Sequence, residues 1–300
     1  MRLSGTLLFF AAVSLWGIQP IPFINPHPLS SAHFNPAMEG TKDRLEMTYL
    51  HASIFEDETN TYGGESFHRL IDYESSQLGI FYRTSRDDFS FMFNGELVYN
   101  HNGFLDNLIV WVHDRTGSTG GRWRERKEAP RNTYRFSVTD GSGNELIDDA
   151  NRLIVRGALF AGYRLPWDAS IRLGIKPPWE KEVNDFYPQS PEFSLSLQKA
   201  FHYGKLDMLM DASAIYLDPE NSRIRSIRAT ANLLISYDGY YIQYNYVEPI
   251  FDEQAADSVL NTYGGVYVFG YRGEQFFWGI MEDFTLYNNP DVALLFGWEF

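Results

Sequence analysis

The chain reads as an all-β protein, a transmembrane antiparallel β-barrel of about twelve strands with a short helix in one long extracellular loop. Three observations predict this. The final segment places Val292, Leu294, Phe296, Trp298 and Phe300 on one side of a strand, and a strand with a wholly apolar face needs an apolar medium against it. Period-two alternation recurs from Asp43 to Phe300, with no linker between. The connections between the alternating stretches are short and long by turns, as tight periplasmic turns and longer extracellular loops require.

Residues 1–19 read as a secretory signal peptide. Arg2 supplies the positive start, and Leu7 to Trp16 an apolar run too short for a membrane helix. Residues 20–42 carry Pro22, Pro26, Pro28 and Pro36, so an extended segment is predicted there, periplasmic or folded into the lumen as a plug. Residues 43–300 form the barrel. Its clearest strands set Phe89, Phe91 and Phe93 against Ser90 and Asn94, Ile171, Leu173 and Ile175 against Arg172 and Lys176, and Ile227, Ala229, Ala231 and Leu233 against Arg228, Thr230 and Asn232. Short turns are predicted near Arg86–Asp87, Pro166–Trp167, Tyr203–Gly204, Asp238–Gly239 and Gly273–Glu274. Long loops are predicted at 56–66, 101–150, 177–191, 217–223, 250–260 and 285–291. In the second of these, Leu105, Leu108, Ile109 and Val112 fall at helical spacing. A small hairpin is expected around Asp140-Gly141-Ser142-Gly143.

Composition agrees with this reading and removes several function classes. The mean hydropathy of -0.31 and the 44% hydrophobic fraction are those of an alternating barrel as much as of a soluble protein. The aromatic fraction of 16% favours the barrel, whose two interfacial girdles consume such residues. A cysteine count of zero excludes disulfides, thiol catalysis and thiolate metal sites. The formal net charge of -14 argues against nucleic acid as a partner.

Several stretches resemble an uncharacterised bacterial outer-membrane family catalogued as domain of unknown function 3187. They are Leu70-Ile71-Asp72-Tyr73-Glu74, then Gly103-Phe104-Leu105-Asp106 with Ile109, Trp111 and His113, then Gly120-Gly121-Arg122, and finally Glu282-Asp283 with Pro290-Asp291-Val292 and Phe300. Tyr73, where glycine is usual, and Pro177-Pro178 depart from the family pattern. The resemblance implies an outer-membrane location and no particular activity.

Candidate chemistry is sparse. Asp106, His113, Asp114 and Arg122 form a polar set in the long loop, and Asp106 and His113 lie two turns apart on one helix face. Such a set more often pins a loop to the barrel wall than catalyses. A lipid hydrolase of the outer-membrane phospholipase type needs a Ser–His pair on the outer wall. His51 and His101 are candidate bases there, and Ser53 or Ser66 candidate nucleophiles, with no evident carboxylate to orient either histidine. A lipid A deacylase reading fails similarly. His27 and His33, or Asp148 and Asp149 with Glu145, lack recognisable metal spacing, so no metal and no cofactor are predicted. Glu56-Asp57-Glu58 reads as a solvated loop. The basic run from Arg122 to Lys127 with Arg131 meets either lipopolysaccharide phosphates or, in the reading preferred here, lumen acids.

Lumen charges of both signs are expected: Arg156, Arg164, Arg172 and Arg228 with Glu96, Asp207, Asp211 and Asp283. Paired signs suit a narrow interior better than an open pore. Phe296, Trp298 and Phe300 form the C-terminal signal that such barrels present to the insertion machinery. The expected partners are that machinery, outer-membrane lipid and lipopolysaccharide, in the bacterial outer membrane. The expected role is passive solute passage or envelope structure, with a lipid-modifying hydrolase or a surface ligand-binding barrel as alternatives.

Overall fold

The computed structural model describes residues 21, 43–62, 64–116, 130–147, 153–177, 191–217, 225–248, 264–282 and 292–300. The strands in chain order are β1 (Arg44–Tyr62), β2 (Glu65–Arg86), β3 (Phe89–His101), β4 (Arg135–Asp140), β5 (Glu145–Ile147), β6 (Leu153–Leu165) and β7 (Ala169–Lys176). They continue as β8 (Glu192–Tyr203), β9 (Leu206–Leu217), β10 (Ile227–Tyr237), β11 (Tyr240–Val247), β12 (Gly264–Arg272), β13 (Phe276–Glu282) and β14 (Val292–Glu299). One helix, α1 (Asp106–Thr116), lies between β3 and β4.

Twelve of these strands close into an antiparallel barrel. Each pairs with its neighbour around the wall, β3 pairs with β6, and β1 meets β14 with Glu46 opposite Glu299 and Ser53 opposite Val292. Closure leaves no strand edge unpaired in the membrane, where each lost backbone hydrogen bond costs several kcal/mol. The predicted barrel and its loop helix are therefore both present.

Tight turns set the register at the end nearest Glu299. Asp238 and Gly239 both have positive φ, 52° and 88°, which is the type I′ geometry that matches strand twist. Tyr237 and Tyr240 consequently pair directly. A β-carbon on Gly239 would also press against the Tyr271 ring, so the position requires glycine twice over.

The predicted loop at 56–66 is instead strand. β1 and β2 run on as a long ribbon to a turn at Gly64, and β4 pairs with the ribbon along Phe67–Asp72. Glu56-Asp57-Glu58 is not a solvated loop either. Glu56 is buried and ion-paired with Arg69 at 2.8 Å, while Asp57 accepts from His68 at 2.6 Å. The buried face of the ribbon mixes Ile54, Phe67, Ile71 and Tyr73 with Glu56 and Arg69, so it lacks a clean apolar alternation in the sequence. The expected hairpin is present as β4–β5. Asp140 closes its turn by accepting from the Ser142 and Asn144 amides, each at 2.9 Å. Those bonds, with one from the Asn144 side chain, hold its carboxyl below the usual carboxylate range.

Alternation sorts the two faces. Leu78, Ile80, Tyr82, Phe89, Phe91, Leu159, Leu173, Leu197 and Trp278 are exposed on the outside. A girdle of ring pairs encircles the turn end, with centroids at 5.1 Å for Phe89–Tyr163, 5.1 Å for Tyr240–Tyr271 and 5.5 Å for Phe276–Trp298. Facing inward are polar and charged side chains of β3 and β6–β10, together with an apolar set from β1 and β9–β14 that includes Leu50, Leu209, Leu234, Val268, Phe277 and Leu295.

Candidate functional sites in the lumen and on the outer wall

The lumen holds most of the predicted charges. Glu96 and Arg156 are cross-strand partners on β3 and β6 and form an ion pair. Arg172 reaches Asp211 at 3.0 Å across β8, with Arg172 2% and Asp211 0% exposed. Asp211 also accepts from Ser213 at 2.9 Å and from Asn232 at 3.3 Å. Arg228 and Lys176 share Glu192 at 3.0 Å and 3.6 Å. At the turn end, Arg272 and Arg44 converge on Glu46 at 2.8 Å and 3.1 Å. Low local dielectric strengthens these pairs and raises the penalty for leaving any member alone.

Two predicted lumen charges lie at the mouth. Asp207 pairs with His202 at 2.8 Å, both partly exposed, and Arg164 is exposed near the end of β6. Asp283 lies outside the described residues. The acids Glu96, Asp207 and Asp211 thus have partners of their own, which removes the reason for drawing the basic run inward. Arg131 is exposed and donates to Asn107 at 2.8 Å; Arg122 to Lys127 lie outside the described residues.

Guanidinium nitrogens remain in excess. Arg156 Nη1 and Nη2, Arg172 Nε and Nη1, and Arg228 Nε and Nη1 are buried with no hydrogen-bond partner among the described residues. Ile21 is inside as well. It packs in the apolar set, donates its amide to Gln243 Oε1 at 3.1 Å, and accepts from Gln243 Nε2 at 3.2 Å.

A second cluster sits on the outer wall. Odd residues of β1 and β3 and even residues of β2 face outward here, so Tyr49, His51, Glu74, Ser76, Tyr99 and His101 share one patch. Register places Ser76 directly opposite His51 on one side and Tyr99 on the other. His51 Nδ1 lies 2.9 Å from Ser76 Oγ, and its Nε2 lies 2.7 Å from Glu74 Oε2. His101 Nε2 is 3.0 Å from the same hydroxyl, and its Nδ1 is 2.7 Å from the Asn102 carbonyl.

Proton counting constrains this patch. A carboxylate and a carbonyl only accept, so His51 carries a proton on Nε2 and His101 one on Nδ1. The two remaining ring nitrogens then face one hydroxyl with one proton. The Tyr49 hydroxyl, 3.4 Å from His51 Nδ1 and 3.5 Å from Ser76 Oγ, completes the set.

The start of the long loop builds the patch. Leu105 donates its amide to Glu74 Oε1, and the Phe104 ring stacks on His51 with centroids 5.0 Å apart. A β-carbon on Gly103 would fall on the Glu74 carboxylate, so any other residue here would have to push that carboxylate aside. Glu74 and His51 are consequently 1% and 5% exposed.

Of the predicted loop set, the structure describes the side chains of two members. Asp106 is buried at the start of α1 and accepts the Asn132 amide at 2.6 Å, which pins the loop. Asp114 is exposed, while the His113 side chain and Arg122 lie outside the described residues. The serines also differ from expectation. Ser53 is buried opposite Glu74, and Ser66 lies exposed near the tip of the ribbon, whereas Ser76 is the hydroxyl between the histidines. His51 does have a carboxylate orienter, Glu74. Phe296 and Trp298 face outward on β14, and Phe300 is exposed, its amide bonded to the Leu45 carbonyl at 2.9 Å. Among the described residues no group of three His, Asp or Glu side chains is arranged to hold a metal ion.

No family model matches the chain, and no curated protein matches it. Solved structures do. An outer membrane channel from Pseudomonas putida F1 is 12% identical, with 89% of this chain and 99% of that chain covered and a TM-score of 0.49. The Ralstonia pickettii toluene transporter TbuX is 9% identical over 91% of each chain, with a TM-score of 0.36. Salmonella typhi OmpF in complex with daunomycin is 10% identical over 85% of this chain and 97% of that chain, with a TM-score of 0.33. These likenesses concern the barrel alone.

Proposed function

We propose that the protein is a bacterial outer-membrane barrel that provides a narrow passage for small solutes, with a preference for anions. The exposed apolar belt supports the membrane location. The observation that carries the passage is the set of buried guanidinium donors on Arg156, Arg172 and Arg228 that have no partner among the described residues. Buried donors are kept satisfied, so these atoms call for water or an anionic solute inside the barrel. Paired acids hold the arginines against one wall, and the apolar set with Ile21 narrows the other. The resemblance to the family of domain of unknown function 3187 belongs to the same proposal.

Conductance across planar bilayers tests this reading. The intact chain should show small, anion-selective steps, and deleting residues 20–42 should enlarge them, because Ile21 no longer occupies the lumen. Conductance no higher than bare lipid in the intact chain, in the 20–42 deletion and in a 103–131 deletion would overturn the passage. A reversal potential favouring cations would overturn the stated selectivity.

A further inference from the structure

We infer that Ser76, His51 and Glu74 form a serine hydrolase site on the outer wall, acting on acyl esters of membrane lipids. The inference stands apart from the passage, because the cluster faces away from the lumen. Three observations lead to it.

The first is geometry. A hydroxyl, an imidazole and a carboxylate are linked in series at 2.9 Å and 2.7 Å, the order of roles that activates a serine on unrelated folds. The imidazole presents Nδ1 to the serine and Nε2 to the carboxylate. Either nitrogen can take the proton, since the role needs one accepting and one donating nitrogen on a single ring.

The second is construction. An outward-facing barrel position is ordinarily a lipid-contacting apolar residue, as Leu78 and Ile80 are on the same strand. Here Glu74 and His51 are buried instead under Phe104 and Leu105, by a loop in which Gly103 leaves room for the Glu74 carboxylate. A carboxylate taken out of water at the edge of a bilayer is costly unless it is paired, and its partners are His51 and the Leu105 amide. The loop thus keeps the carboxylate fixed on the imidazole while leaving Ser76 partly exposed.

The third is depth. Ser76 stands ten residues from the turn end of β2 at Arg86. At a rise of about 3.3 Å and a tilt of about 40°, this is about 25 Å, the height of the apolar belt of such barrels. The hydroxyl therefore lies at the outer boundary between hydrocarbon and headgroup, where acyl chains are esterified. Leu78, Leu97 and Tyr99 beside it offer apolar surface for an acyl chain.

The chemistry balances without a cofactor. Ser76 Oγ attacks the ester carbonyl carbon and passes its proton to His51 Nδ1, forming a tetrahedral intermediate. Glu74 holds the imidazolium formed. The carbon–oxygen bond to the alcohol part breaks as His51 returns the proton to the leaving oxygen, and the acyl group stays on Ser76. Water then attacks the acyl carbon, gives one proton to His51, and the Ser76 oxygen leaves and regains that proton, releasing a fatty acid. His101 Nε2, 3.0 Å from Ser76 Oγ, holds the hydroxyl between the two rings.

The test uses the full chain folded in mixed micelles, with release of free fatty acid as readout. One arm supplies phosphatidylethanolamine and another purified lipopolysaccharide, so the two sources of acyl ester are told apart. A fluorophosphonate probe with mass spectrometry reads the nucleophile directly, and heat-modifiable mobility on gels confirms folding. The expected result is fatty-acid release in at least one arm, a probe adduct on Ser76, and a fall of at least about 10³-fold in Ser76→Ala and His51→Asn. Glu74→Gln, a positioning change, should lower kcat with KM retained in folded protein. No release in either arm together with no adduct on Ser76 would overturn the inference, as would release that Ser76→Ala leaves unchanged.

Discussion

Replacing Arg172 by Met asks how narrow the lumen is and how well its wall shields this ion pair. The guanidinium is 2% exposed and its partner Asp211 is 0% exposed, so the substitution strands a carboxylate in the interior. Breaking such a buried pair costs about 3–5 kcal/mol. Asp211 keeps its bonds from Ser213 and Asn232, which places the expectation at the low end, about 3 kcal/mol. That is on the order of a hundredfold in the folding equilibrium. The assay is reversible urea unfolding in detergent micelles, followed by tryptophan fluorescence. Arg172→Met combined with Asp211→Asn removes both charges and should recover most of the loss, leaving about 1 kcal/mol. In a wide, water-filled pore the pair would be solvated, and the single substitution would cost no more than about 1 kcal/mol. A loss that small, or a double variant as unstable as the single, would refute a narrow lumen whose wall pairs are shielded.

Three other perturbations separate the outer wall from the loops. Ile80→Arg, about six residues or 15 Å above the turn end and so near mid-belt, should cost about 2–4 kcal/mol in vesicle-folded protein, while an unchanged unfolding midpoint would contradict lipid contact there. Gly103→Ala pushes the Glu74 carboxylate off His51 and should lower acyl-ester release about a hundredfold without altering heat-modifiable mobility; an unaltered rate would contradict the role given to the loop. The Asp140 carboxyl is held below its ordinary range, so its bonds to the β4–β5 turn persist above that range and are lost as pH falls through the lowered value. Amide shifts of Ser142 and Asn144 should follow that transition, and shifts moving only at the ordinary carboxylate range would contradict the bonding.

The barrel was legible because lipid imposes one rule on every wall strand. Where the outward face is apolar and exposed, as at Ile171, Leu173 and Ile175 against Arg172, Gly174 and Lys176, the residues alternate strictly. The β1–β2 ribbon was missed for the converse reason. Its buried apolar residues are interrupted by charges, and Glu56, Asp57 and Glu58 pair with Arg69 and His68 in a way that looks like a solvated loop in the sequence. The outer-wall site was half legible. Both histidines were identifiable as outward candidates, yet their partners lie 23 and 25 positions away, where no local spacing connects them. A signal did exist. Tyr62 pairs with Glu65 across the turn at Gly64, and stepping out eleven residues on each strand brings His51 opposite Ser76. Locating that turn first would have fixed the register, and with it the nucleophile. In the lumen the charges were recognisable residue by residue, but the pairing of Arg172 with Asp211 across an intervening strand depends on barrel curvature, which one sequence does not display.

The account depends most on hydrocarbon covering the outward face of the wall. Nitroxide labels placed singly at Leu78, Ile80, Phe81 and Arg83 in vesicle-folded protein measure this through oxygen accessibility. Leu78 and Ile80 labels should show high oxygen and low polar-quencher accessibility, and Phe81 and Arg83 labels should not, because β2 turns those two inward. Equal accessibility at all four positions, or high oxygen accessibility at Phe81 and Arg83 alone, would contradict it.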